Sequence, residues 1–179
     1  DIDHPSVDFR VVRNATRTFP LLIAHLSGKQ GTIPAGVLRQ GEVMDEGSLP
    51  EYDFYSPVPD RSLTAAYRDS YFYVFHNKVA LVKASYGCPY KCNFCFCRMI
   101  TNGGYHERLL KDVITELKSI KEKNIYIVDD DFLTSRKRVN EFIEANVTEN
   151  LDKRYLIYGR ADFIANNPDL IKRFYDIGL

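Results

Sequence analysis

All four cysteines of the chain fall between residues 88 and 97, in the run Cys88-Pro-Tyr-Lys-Cys92-Asn-Phe-Cys95-Phe-Cys97. Cysteines that staple a fold are spread along the chain, so that each bond closes a distant loop. Four thiols in one short segment point instead to a metal centre in a reducing compartment, with free buried cysteines as the bland alternative. Structural zinc takes four ligands, commonly as two Cys-x-x-Cys pairs. Here Phe96 leaves little room for Cys95 and Cys97 to chelate one ion, and the nearby imidazoles, His76 and His106, fall outside the loop. Ferredoxin spacing adds a remote fourth cysteine, which this chain lacks. Three thiolates without a fourth protein ligand suit a [4Fe–4S] cluster with one open iron, and an open position is what a catalytic metal keeps.

Such a loop needs a strand to launch it and a turn to close it. Residues 79–85, Val-Ala-Leu-Val-Lys-Ala-Ser, are a short apolar run ending at Tyr86-Gly87, as expected of a largely buried parallel strand and a turn. The cysteines then leave the carboxyl end of that strand, where barrels and open α/β sheets place their sites, and Gly103-Gly104 closes the loop. Leu109, Leu110, Val113, Ile114, Leu117 and Ile120 predict a helix over 106–122. Ile125 to Val128 predicts a second strand, and Thr134 or Ser135 can cap a helix over 136–147 with Val139, Phe142, Ile143 and Val147 inward. Tyr155 to Tyr158 predicts a third strand. Asn167-Pro168 opens a last helix with Leu170, Ile171, Phe174 and Ile177 inward, terminated at Gly178. Residues 79–178 therefore read β-α-β-α-β-α, a parallel sheet with right-handed crossovers.

The ends of such strands converge on one site, so Asp129-Asp130-Asp131 and Arg160 join the cysteine loop as candidates. Asp129 and Asp130, nearest the strand end, are expected to face a ligand. For Asp131 a turn at a helix N-terminus, where the dipole favours carboxylates, is an even alternative. Arg160 could pair with a carboxylate of a ligand, of Asp129 or of Asp130, or close a structural ion pair with Asp162. Lys83 and Lys91 are read as solvated.

The pattern Cys-x-x-x-Cys-x-aromatic-Cys, with Phe94 as the aromatic residue, resembles the signature of the radical S-adenosylmethionine (radical SAM) enzymes residue by residue. The resemblance implies that Cys88, Cys92 and Cys95 hold a [4Fe–4S] cluster whose open iron chelates the amino and carboxylate groups of S-adenosylmethionine. Phe94 would then lie against the adenine, and Cys97 has no part in the pattern beyond packing beneath the cluster. Reductive cleavage of the sulfonium would give methionine and a 5′-deoxyadenosyl radical that takes hydrogen from a substrate. The resemblance also implies an external one-electron donor of flavodoxin or ferredoxin type and a cytoplasmic setting. Where many relatives end the second strand in a Gly-Gly-Glu type motif that holds the cofactor's amino group, this chain has three aspartates. That is similar to the variant common in the cobalamin-associated branch, often methyltransferases, and it assigns cofactor binding to Asp129 and Asp130, with Arg160 beside them. The implied fold class is α/β, the first half (three βα units) of a partial (β/α)6 barrel.

The preceding ninety residues are less regular. Residues 6–13 predict a strand, and Thr18 to Leu26 a short amphipathic helix with Pro20 in its first turn. Glycine at 28, 31, 36, 41 and 47, with Pro, Asp and Ser between, reads as a linker from 28 to 62. Tyr71 to Phe75 could be a strand. The order resembles the end of a cobalamin-binding domain (1–31), a linker (32–70) and the start of a radical SAM domain (71–179), which makes cobalamin a cofactor expected of the longer parent. The Asp-x-His-x-x-Gly motif of some cobalamin binders is absent; Asp3-His4-Pro5 does not match it.

Equal numbers of basic and acidic residues, 24 each, argue against nucleic acid or an anionic membrane as partner. No apolar run approaches the roughly 18 residues of a membrane span, and no signal-peptide pattern is read. The four histidines are scattered, and neither a phosphate-binding loop nor a Gly-x-Ser-x-Gly elbow occurs. Asp1 at the start and Gly178-Leu179 where a fourth strand is due lead us to expect a fragment, inactive alone, whose third strand would leave an open parallel edge. An iron–sulfur electron-transfer module and a small zinc-binding interaction domain are the other classes compatible with the loop.

Overall fold

Phe9–Val11 (β1) pairs antiparallel with Val37–Arg39 (β2), Phe9 opposite Arg39, and helix α1 (Ala15–Leu26) lies between them in the chain. The computed structural model describes residues 4–54 and 57–179, and these form two compact units, the chain passing from one to the other between Pro57 and Val58. Asp3 of the Asp3-His4-Pro5 segment lies outside the described residues. Helix α1 begins a turn earlier than its apolar pattern predicts, which puts Pro20 inside the helix. The earlier start follows from Asn14, held at φ 54° with its side chain donating to Glu51 O (2.7 Å) and accepting from Asp53 N (2.8 Å). Arg13 also reaches Pro50 O and lies over the Tyr52 ring. Part of the segment read as a linker is therefore strand β2, and residues 50–53 are folded back onto the amino-terminal unit.

In the second unit, residues Arg61–Ser70 form a 3-10 helix capped by Asp60, whose side chain accepts from Ser62 N at 3.0 Å. The composition around it gives no helical stripe. What holds it is ionic: Arg61 bonds Glu116 at 2.6 Å and Arg68 bonds Glu122. Next comes a two-residue hairpin, β3 (Phe72–Tyr73) with β4 (His76–Asn77), where one aromatic strand was expected.

The strand β5 (Val79–Val82) then opens a parallel sheet. After it come β6 (Ser85–Tyr86), the one-turn helix α2 (Cys97–Ile100), β7 (His106–Glu107) and helix α3 (Leu110–Ser119). Strand β8 (Asn124–Ile127) leads to helix α4 (Arg136–Thr148), and strand β9 (Arg154–Ile157) to α5 (Ala161–Asn166) and α6 (Pro168–Asp176). The sheet order is β5-β8-β9, all parallel, with Val79 opposite Asn124 and Asn124 opposite Arg154.

Alternation along the strands divides the sheet's two faces. Ala80, Val82, Ile125, Ile127 and Tyr155 pack against Val113 and Leu117 of α3, Val139 and Phe142 of α4, and Leu170 and Phe174 of α6 in one buried cluster. Burying each large apolar side chain contributes roughly 1.5–3 kcal/mol. Leu81 and Tyr126 point the other way, where Tyr126 stacks on Tyr73 at 4.6 Å and meets the edge of Tyr158 at 5.7 Å. Helix α4 is capped by Ser135, whose side chain accepts from Arg138 N, and Gly178 ends the last helix at φ 115°. Among the described residues, no helix is long and apolar enough to cross a membrane.

Candidate functional site at the thiol loop

The segment carrying the cysteines is closed at its base. Strands β6 and β7 pair antiparallel, Ser85 opposite Glu107 and Tyr86 opposite His106, and Arg108 N donates to Ala84 O at 3.0 Å. Just inside this neck Gly87 sits at φ 71°, so close to Gly104 that a Cβ would run into the Gly104 carbonyl oxygen. Thr101 Oγ1 donates to the same carbonyl at 2.9 Å. The expected turn at Tyr86-Gly87 and closure at Gly103-Gly104 are thus two sides of one contact.

All four cysteines are free and half-buried. Cys95 N donates to Cys92 O at 3.2 Å. Burial pushes the Cys88 thiol up, against the Tyr90 backbone N–H, and nearby Asp131 and Asp130 push in the same direction as burial. Burial, with a hydrogen bond to Cys95, pushes Cys97 up to about 11. Cys97 opens the α2 turn and is half-buried. Phe94 stands 92% exposed, and Lys91 is exposed as expected.

The three aspartates behave differently from one another. Asp129 was expected to face a ligand. Its carboxylate, 2% exposed, instead accepts from Ala84 N and Ser85 Oγ, both at 2.7 Å, and burial raises its pKa. Asp130 is half-buried, 3.8 Å from Lys83 Nζ, and that lysine also donates to Val128 O at 2.8 Å. Lys83 is therefore engaged at the strand end while remaining partly exposed. Asp131, 4% exposed, takes Leu133 N on Oδ1 at 3.0 Å, while its buried Oδ2 has no hydrogen-bond partner among the described residues. Burial raises its pKa, and the Arg160 charge opposes this.

Arg160 comes to the loop from the end of β9. It pairs with Asp162 through Nε at 2.9 Å and Nη2 at 2.7 Å, lies 4.1 Å over the Tyr90 ring, and points Nη1 at Cys92 Sγ, 3.7 Å away. The ion pair with Asp162 is the bland alternative read from the sequence, and it is present. The contact with a cysteine is one the sequence does not foretell.

Cys92 and Cys95 line an open cavity of about 560 Å³, with Lys91 and Arg98 on its rim. Another cavity, of about 580 Å³, lies between Arg61, Tyr73 and Tyr126 near the start of β5, away from the thiols. Among the described residues no three His, Cys, Asp or Glu side chains converge on one point as a single metal ion requires. A multi-iron cluster makes a different demand, one thiolate per iron; all four thiols are unbridged, and Cys92 and Cys95, though not Cys88, line the open cavity. The chemistry of the donor set, three unbridged thiols on one loop, is compatible with an iron–sulfur cluster.

No protein-family model matches the chain. Over 152 residues the chain is 28% identical to a hopanoid C-3 methylase of Methylococcus capsulatus, an alignment that covers 85% of this chain and 29% of that protein. The chain thus spans less than a third of the length of the curated relative it matches.

Proposed function

We propose that residues 71–179 are the amino-terminal half of a radical SAM barrel, from an enzyme that methylates an unreactive carbon. The observation that carries this reading is the neck-closed loop of Cys88, Cys92 and Cys95 directly after the first strand of a parallel sheet. The sequential order β5-β8-β9, with α3, α4 and α6 packed into one cluster on one face, also supports it. A barrel wall is built that way, whereas a doubly wound sheet reverses its order and is covered on both faces. Methylation as the outcome rests on the name of the relative. Residues 1–31 are read as the end of a cobalamin-binding domain, and the electron donor as a flavodoxin or ferredoxin.

In this reading Cys88, Cys92 and Cys95 bind the cluster. When bound, it supplies one electron for reductive cleavage of S-adenosylmethionine. The remaining residues orient and shield. The β6–β7 neck fixes both ends of the loop. Asp130 offers an acceptor to a cationic group of the ligand, and Phe94 offers an aromatic face. Asp129 acts through Ser85 and Ala84 and does not touch the ligand.

Anaerobic reconstitution with iron and sulfide tests this. A brown protein that, once reduced with dithionite, gives a [4Fe–4S] EPR signal changed on adding S-adenosylmethionine is expected. Cys92→Ala should abolish iron uptake and Cys97→Ala should retain it. A colourless zinc protein, or an EPR signal indifferent to S-adenosylmethionine, would overturn the enzyme reading.

A further inference from the structure

We propose that Arg160 is a positioning residue that raises the reduction potential of the cluster by donating a hydrogen bond to the sulfur of Cys92. This rests on the reading that the loop holds a cluster. The guanidinium is fixed on two sides before it meets the sulfur: Asp162 takes Nε and Nη2, and the Tyr90 ring covers one face. What is left over is Nη1, directed at Cys92 Sγ. The carboxylates it was expected to meet are engaged elsewhere, Asp129 by Ala84 and Ser85, and Asp130 with Lys83.

Reduction adds one electron from an external reductant to the cluster, with no bond made or broken, and increases the negative charge on the ligand sulfurs. A donor aimed at one of those sulfurs stabilises the reduced form more than the oxidised form, so the potential rises. Because Asp162 nearly cancels the charge of Arg160, the hydrogen bond itself carries most of the effect. A lysine has no planar fork with which to hold Asp162 and still reach the sulfur.

Reconstituted full chain, titrated with dithionite and followed by EPR, reads the midpoint potential directly. Arg160→Gln should shift it to more negative values, and Arg160→Lys should recover only part of the difference. Asp162→Asn, at an exposed side chain, should shift it the opposite way by unmasking the guanidinium charge. Opposite signs at two paired residues are not what loosening of the fold produces. If Arg160→Gln takes up no iron, Asp162→Asn decides alone: an upward shift supports the proposal. Intact clusters with unshifted potentials in both variants would overturn it and leave the cluster reading standing. A wild-type chain that takes up no cluster removes both.

Discussion

Ser85 and Asp129 share a buried hydrogen bond, Oγ to Oδ2 at 2.7 Å, that ties the base of the thiol loop to the acidic turn after β8. The other carboxylate oxygen takes Ala84 N at the same distance. Asp129→Ala leaves both donors buried without a partner and should cost about 2–3 kcal/mol. Asp129→Asn behaves differently, because an amide keeps an acceptor for Ala84 and can donate to Ser85.

The pH dependence separates these variants. Burial holds the Asp129 pKa above 3.8, so ionisation costs the folded state more than the unfolded one. This group's contribution is fully present below pH 3.8 and is lost as pH rises through the raised pKa. The stability of Asp129→Asn relative to wild type should therefore grow over that range and then level off. Urea midpoints across the acid range check it; a constant difference would refute it.

Glu116 is 2% exposed and bonds Arg61 at 2.6 Å and Arg108 at 2.8 Å. Glu116→Ala strands two arginines, and breaking such a buried pair costs about 3–5 kcal/mol. The 3-10 helix should loosen before the sheet does, so trypsin should cut after Arg61 and Arg68 faster while the circular dichroism of the whole changes little.

Gly87→Ala combines a positive φ with a collision against Gly104 O. Gly28, at φ 73°, has nothing within 4 Å of its missing Cβ. Gly28→Ala should cost only the left-handed backbone term, about 1–2 kcal/mol. Gly87→Ala should cost more and also lower iron uptake, because the neck must open. Equal effects of the two on stability would show that the close approach is unimportant.

Phe142 packs edge-on to Phe132 at 5.2 Å, Tyr155 at 5.3 Å and Phe174 at 5.6 Å. Phe142→Ala should cost about 3–5 kcal/mol. With Phe174→Ala the losses should fall short of additive, since both side chains line the same cavity. Denaturant midpoints of the single and double variants measure the difference.

Much of the second unit is legible in sequence because its elements carry strong periods. The second and third parallel strands lie within a residue of their apolar runs, while the first, read over 79–85, ends at Val82 and gives way to β6; Leu117, Phe142 and Phe174 are buried as their helical spacing predicts, but Leu109 and Val147 on the same predicted faces are exposed. Alternation could also have placed the aspartates. Ile125 and Ile127 face the core, so Asp129 and Asp131 continue on that side and are buried, while Asp130 follows Tyr126 to the other face. Reading the three as a strand end and a turn hid that register. The helix at 61–70 was illegible for a different reason: it buries no side chain of its own and depends on Glu116 and Glu122, which lie far along the chain. Gly, Pro and Ser around residues 28–53 likewise signalled a linker, while Arg13 and Asn14 hold residues 50–53 in place. The Arg160–Cys92 contact has no local signal at all.

That contact spans 68 positions of sequence. A ribosome adds roughly 5–20 residues per second, so Cys92 is made on the order of three to fourteen seconds before its guanidinium partner. During that interval neither β9 nor the Asp162 pair exists, and four free thiols emerge on a segment whose neighbours are unfinished. The newborn chain, more than the folded one, is where this loop is open to oxidation.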